Sequence, residues 1–170
     1  MTFRYVTLYC SMDSRDKYRF DNRTKEQFAQ EIKDGNRIER KLLERWLPTV
    51  GNPSYTDTGC GNDGEFLAFE DVNTDPDFHV DGIGSVEVKF ARPIPANFHL
   101  KVSQVKQYIE QNAQLLMVLG AGKEFPKYTL ISVDDLQFLL DACDHVVCRQ
   151  FGNKKAIRVP AEWIEWKPLP

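Results

Sequence analysis

Apolar and polar residues alternate through residues 2–10 (TFRYVTLYC), the period of a β-strand. From Thr24 the period lengthens. Thr24 and Gln27 have capping-box spacing, and Phe28, Ile32, Ile38, Leu42, Leu43 and Trp46 then recur at helical intervals until Pro48. Gly35, inside that stretch, predicts a kink or a break. Residues 51–64 (GNPSYTDTGCGNDG) are dense in turn formers and read as a loop bordering a site. A strand is expected at 65–69 (EFLAF), and alternating runs at 77–80 and 85–90 flank Asp81-Gly82-Ile83-Gly84, the pattern of a β-hairpin. A helix follows from about Ser103, apolar strands near 115–119 and 128–133, a helix capped by Ser132 with Asp135 beyond it, and a last hairpin through Phe151-Gly152-Asn153. This order predicts a mixed α/β domain over residues 1–170, a central sheet flanked by helices with a C-terminal hairpin extension.

The alternation also sorts side chains by face. In Ser85-Val86-Glu87-Val88-Lys89-Phe90 the apolar residues share one side and Ser85, Glu87 and Lys89 the other. The same parity puts Phe78 and Val80 on the core side and Asp77 and His79 opposite, so any register that joins the apolar faces brings Asp77 to Glu87 or Lys89. Two carboxylates and an ammonium on neighbouring strands make a hard-oxygen cation site beside a cationic group, which suits metal-assisted hydrolysis. Asp81 shares the parity but sits in an Asp-Gly turn pair and is the runner-up ligand; His79 faces the same side and is not expected to be catalytic.

Pro76-Asp77, the interval of ten residues to Glu87, and Glu87-Val88-Lys89 resemble the PD-(D/E)XK nuclease signature. The resemblance implies a restriction-endonuclease-like core in the order α-β-β-β-α-β over about residues 35–120. It further implies magnesium, with manganese as substitute, bound by Asp77, Glu87 and the backbone carbonyl of Val88, and a water oriented or activated by Lys89. Gln104 and Tyr108 have the Gln-x-x-x-Tyr spacing found after the lysine in the lambda-exonuclease and RecB-like branch. On a helix whose stripe is Val102, Val105 and Ile109, these two lie side by side, Gln104 as a catalytic candidate and Tyr108 as a substrate contact. Glu39 falls on the inward half of the first helix with Leu42, Leu43 and Trp46, where an unpaired carboxylate is costly, and many members of the superfamily carry a metal-site glutamate on this helix.

Composition bounds these readings. With 42% hydrophobic and 28% charged residues, 170 residues support one core. The longest apolar stretch, residues 115–119, falls far short of the roughly 20 that span a bilayer, and no signal-peptide pattern opens the chain. A cytoplasmic protein without a membrane partner is the expectation, with Cys10, Cys60, Cys143 and Cys148 reduced; Cys143, His145 and Cys148 have poor zinc spacing. Net charge is −3, but acidity is concentrated in residues 49–100, where two Lys and Arg face nine Asp and Glu. Such a segment is a cation site between anion-contacting surfaces or an acidic loop. Arg37, Arg40, Lys41 and Arg45 on the first helix, with Lys101, Lys106, Lys154, Lys155 and Arg158, are candidate phosphate contacts. Lys154 and Lys155 on a hairpin tip are the favoured pair, and Trp163 and Trp166 read as core or interface residues. The expected function is a magnesium-dependent DNA endonuclease acting as a homodimer. The alternatives are an exonuclease of the same fold, a non-catalytic DNA-binding or assembly protein, and a phosphodiesterase acting on small nucleotides.

Overall fold

The computed structural model describes residues 24–59 and 75–170. The strands expected at 2–10 and 65–69, together with Cys10 and Cys60, lie outside them. Helix α1, Lys25–Trp46, starts at the expected capping box: the Thr24 hydroxyl accepts from the Gln27 amide and the Gln27 side chain accepts from the Thr24 amide. It runs unbroken through Gly35, correcting the expected kink. The helix passes into a short 3₁₀ turn, Leu47–Val50, in which Pro48 supplies the fixed φ of an opening position.

Three antiparallel strands follow, β1 (Tyr55–Asp57), β2 (Phe78–Val80) and β3 (Gly84–Ala91). The first of them lies inside the stretch read as a loop, because three residues between turn formers carry too little pattern to register as a strand. The hairpin between β2 and β3 is the expected one. Gly82 and Gly84 adopt φ of +76° and +101°, backbone that side chains with a Cβ rarely enter. After β3 the chain forms β4 (Asn97–Lys101), which was not foreseen, then α2 (Val102–Glu110) and β5 (Gln114–Leu119), parallel to β3. Strand β6 (Lys127–Ile131), α3 (Val133–Ala142), β7 (Asp144–Cys148), β8 (Lys154–Pro160) and β9 (Lys167–Pro168) complete the described chain. Ser132 caps α3 as expected, accepting from the Asp135 amide.

The main sheet has the order β1-β2-β3-β5-β6-β9, mixed in direction, and a second sheet has the order β4-β8-β7. The hairpin β7–β8 turns at Gly152 and Asn153, the expected C-terminal extension. On one face of the main sheet α1 buries Leu42, Leu43 and Trp46 against Phe78, Val80, Val86, Val88 and Leu116. On the other, Leu115, Met117 and Leu119 meet Val105 and Tyr108 of α2, Leu136 and Leu139 of α3, and Phe98, Ile157 and Val159 of the second sheet. Both faces of β3 are therefore covered. On the Glu87 side of β3 the Tyr108 hydroxyl of α2 reaches the strand, beside which this helix was expected to return. No helix among the described residues is long and apolar enough to cross a membrane.

Candidate active site

Pairing of Phe78 with Val86 and His79 with Ser85 extends to set Asp77 opposite Glu87 and Val88 opposite Pro76. Proline ends the strand there, and its carbonyl accepts from the Thr58 hydroxyl at 2.7 Å. The Val88 amide is thus left without a strand partner on that edge. Asp77 takes it, Oδ2 accepting at 2.9 Å, while the Asp77 carbonyl accepts from the amides of Thr58 and Gly59 at 3.0 and 2.9 Å. A residue in a strand turns its N–H and C=O to the same edge, so the Val88 carbonyl lies on the Asp77 side as well.

Glu87 is 7% exposed. Its Oε1 accepts from the Lys89 ammonium at 2.5 Å and from the Tyr108 hydroxyl at 2.9 Å. Tyr108 reaches it from α2, with its ring in the core at 5% exposure. Burial opposes the charge on Lys89, yet Glu87, Tyr108, Asp77 and Glu39 outweigh it and hold the ammonium well above the usual lysine range. Burial likewise pushes the Tyr108 hydroxyl well above the usual tyrosine value, with Lys89 opposing and Glu87 adding to the shift. Both groups are donors at neutral pH.

Glu39 is buried at 3% exposure on α1, as its place in the apolar stripe predicts, and its charge acts on Lys89. It does not cluster with Asp77 and Glu87: among the described residues no three His, Cys, Asp or Glu side chains gather closely enough to hold a metal ion. Gln104 is half-buried, one turn before Tyr108. The expected stripe is rotated, since Val105 and Tyr108 are its buried residues while Val102 and Ile109 are half-covered. Tyr108 is bonded to Glu87, and its burial corrects its expected place as a substrate contact.

Asp81 is exposed in the turn, its amide donating to the Ser54 carbonyl at 2.9 Å, and His79 is exposed on β2. Lys106, Lys154 and Lys155 are exposed. Lys101, by contrast, is 5% exposed with its ammonium over the Phe151 ring at 5.1 Å, which removes it from the candidate phosphate contacts. Arg40 is paired with Asp57, Arg45 donates to the Pro170 carbonyl at 2.7 Å, and Arg158 pairs with Asp144 at 2.7 Å. His145 Nε2 lies 2.8 Å from the Leu140 carbonyl, and Cys143 and Cys148 belong to different apolar clusters. Trp166 packs edge-on against Phe98, whereas Trp163 is exposed.

Sequence reasoning missed the bond of Tyr108 to Glu87 and the three amides that hold Asp77. The first had a signal, an aromatic one turn beyond Gln104. The second had none, because backbone donors carry no residue code. No protein-family model matches the chain, and comparison with curated proteins and with solved structures returns no match.

Proposed function

We propose that this chain is a magnesium-dependent nuclease with a restriction-endonuclease-like core, hydrolysing phosphodiester bonds in DNA as an endonuclease. One observation carries the reading: Asp77, directly before β2, stands opposite Glu87 on β3, each held by its own donors, with the Lys89 ammonium bonded to Glu87 and within the field of Asp77 and Glu39. The succession of α1, the antiparallel strands β1 to β3, α2, and β5 parallel to β3 supports it.

The donors offered to a cation are all hard oxygens: the carboxylates of Asp77 and Glu87 and the carbonyl of Val88. Magnesium commonly takes one or two carboxylates and keeps several waters, so this set fits without a third acid. Bound there, the ion supplies Lewis-acid polarisation of the phosphate and acidifies a water. Asp77 and Glu87 hold it. Lys89 donates toward the attacking water or the transferring phosphoryl oxygens, where charge develops. Glu39 sets the local field around Lys89 or would accept from a water at the site, and the Gln104 amide offers uncharged donors to a phosphate oxygen. Lys106, Lys154 and Lys155 contact the backbone of the substrate. Cutting both strands with one site per chain is met most simply by a C2 homodimer.

A second reading, a DNA-binding or assembly protein without catalysis, is favoured by the way Glu87 and Lys89 satisfy each other as a buried ion pair does. Incubation of the purified protein with plasmid, linear duplex and single-stranded DNA separates the two. Nicking or linearisation of plasmid in Mg²⁺ or Mn²⁺, lost in EDTA and poorly supported by Ca²⁺, is the expected result. DNA binding without cleavage in any metal selects the second reading, and degradation confined to linear DNA selects an exonuclease.

A further inference from the structure

Both donors to Glu87 meet the same oxygen. The Lys89 ammonium at 2.5 Å and the Tyr108 hydroxyl at 2.9 Å bond Oε1. Oε2 accepts from no described residue, although the side chain as a whole is nearly buried. A carboxylate free to rotate offers either oxygen; one pinned at Oε1 from two directions offers only the other. The two donors differ in kind. Lys89 sits two positions along the same strand and has a long flexible stem, whereas Tyr108 comes from α2, its ring locked among Val105, Leu115 and Leu139 of the core. Rigid placement therefore comes from the tyrosine.

We infer that Tyr108 is a positioning residue, whose hydroxyl holds Oε1 of Glu87 so that Oε2 is the single oxygen this carboxylate presents to a divalent cation. The inference rests on the cation site proposed above. It gives a reason for an aromatic hydroxyl at a core position that a phenylalanine fills equally well by shape. Hydrogen-bonded partners behind metal ligands typically affect affinity or activity by about 10- to 100-fold when removed.

The test is calorimetric titration of Mn²⁺ into the metal-free wild-type protein, Tyr108→Phe and Glu87→Gln, with thermal unfolding of each metal-free protein alongside. Tyr108→Phe keeps the ring and its core contacts, so its unfolding temperature should stay within a few degrees of wild type. The expected result is Mn²⁺ binding weakened about tenfold in Tyr108→Phe and further in Glu87→Gln. A purely structural tyrosine lowers the unfolding temperature and leaves the Mn²⁺ affinity of the folded protein unchanged. Equal Mn²⁺ affinity in wild type and Tyr108→Phe, with Glu87→Gln weakened, overturns the positioning role and leaves the cation site standing. Equal binding, or none, in wild type and Glu87→Gln overturns the cation site and the role of Tyr108 together.

Discussion

Asp77 and Asp81 lie four positions apart on the same parity, yet their surroundings separate them. Asp77 accepts the Val88 amide and its backbone is tied to the 58–59 segment, so its carboxylate is held beside Glu87. Asp81 is exposed at a turn, where the pair Asp-Gly serves the change of direction. From this difference Asp77→Ala, Glu87→Ala and Lys89→Ala are each expected to lower cleavage roughly 10²–10³-fold, the loss typical of one group stabilising a developing charge. Asp81→Ala should change it by less than about threefold, within the spread of a surface substitution. Single-turnover rates on plasmid, with binding measured separately in Ca²⁺, check this. Near-normal turnover in any of the first three ends the assignment. Affinity for DNA should survive in all four, because phosphate contacts dominate binding.

At the scale of elements, what the sequence disclosed depended on how much pattern each element carried. The capping residues Thr24 and Ser132, the helical spacing of Leu42, Leu43 and Trp46, and the alternation through 85–90 all recur in the folded chain, because each is a local signal. Strand β1, of three residues, and β9, of two, had too few positions to show a period. Strand β4 was hidden for another reason: Asn97, His99 and Lys101 alternate with Phe98 and Leu100 over only five residues between a proline-rich turn and α2, too short a run to stand out. Parity placed Asp77, Glu87 and Lys89 together, whereas the bond of Tyr108 to Glu87 is a tertiary fact no period announces. Gly35 shows the converse, a local breaker overridden by the packing of α1. The energetic consequence is specific to α1 and α3. Leu43 is fully buried between α1 and the sheet, so Leu43→Ala should cost about 2–5 kcal/mol. Ser132→Ala, which removes only a cap, should cost about 1 kcal/mol. Urea unfolding of the two variants gives the comparison, and a Leu43→Ala cost no larger than that of the cap would show that α1 is not seated on the sheet as described.

For the whole molecule the proposed nuclease function requires that an acidic chain, net −3, engage a polyanion. Its middle segment carries Asp77 and Glu87, and the candidate phosphate contacts Lys106 on α2 and Lys154 and Lys155 on β8 are exposed. The β7–β8 hairpin reverses through Gly152 and Asn153 at φ of 65° and 62°, then presents Lys154 and Lys155 in succession, both exposed. Successive residues of a strand point to opposite faces, so two phosphates on different sides of a groove are within the reach of this one tip. Contacts of this kind are electrostatic and blind to sequence, and each displaces about one counterion from the duplex. The joint variant Lys154→Ala, Lys155→Ala should therefore weaken DNA binding by a similar factor for every duplex tried, and should reduce the slope of log affinity against log salt by about two. Cleavage at saturating DNA should hardly change, because neither lysine approaches Glu87 or Lys89 by any bond of the site. Fluorescence anisotropy across a salt series in Ca²⁺, followed by single-turnover cleavage in Mg²⁺, separates the two effects. An unchanged salt slope removes the hairpin from the DNA surface, and a large loss of saturated turnover with an intact slope moves these lysines from substrate binding to the chemistry itself.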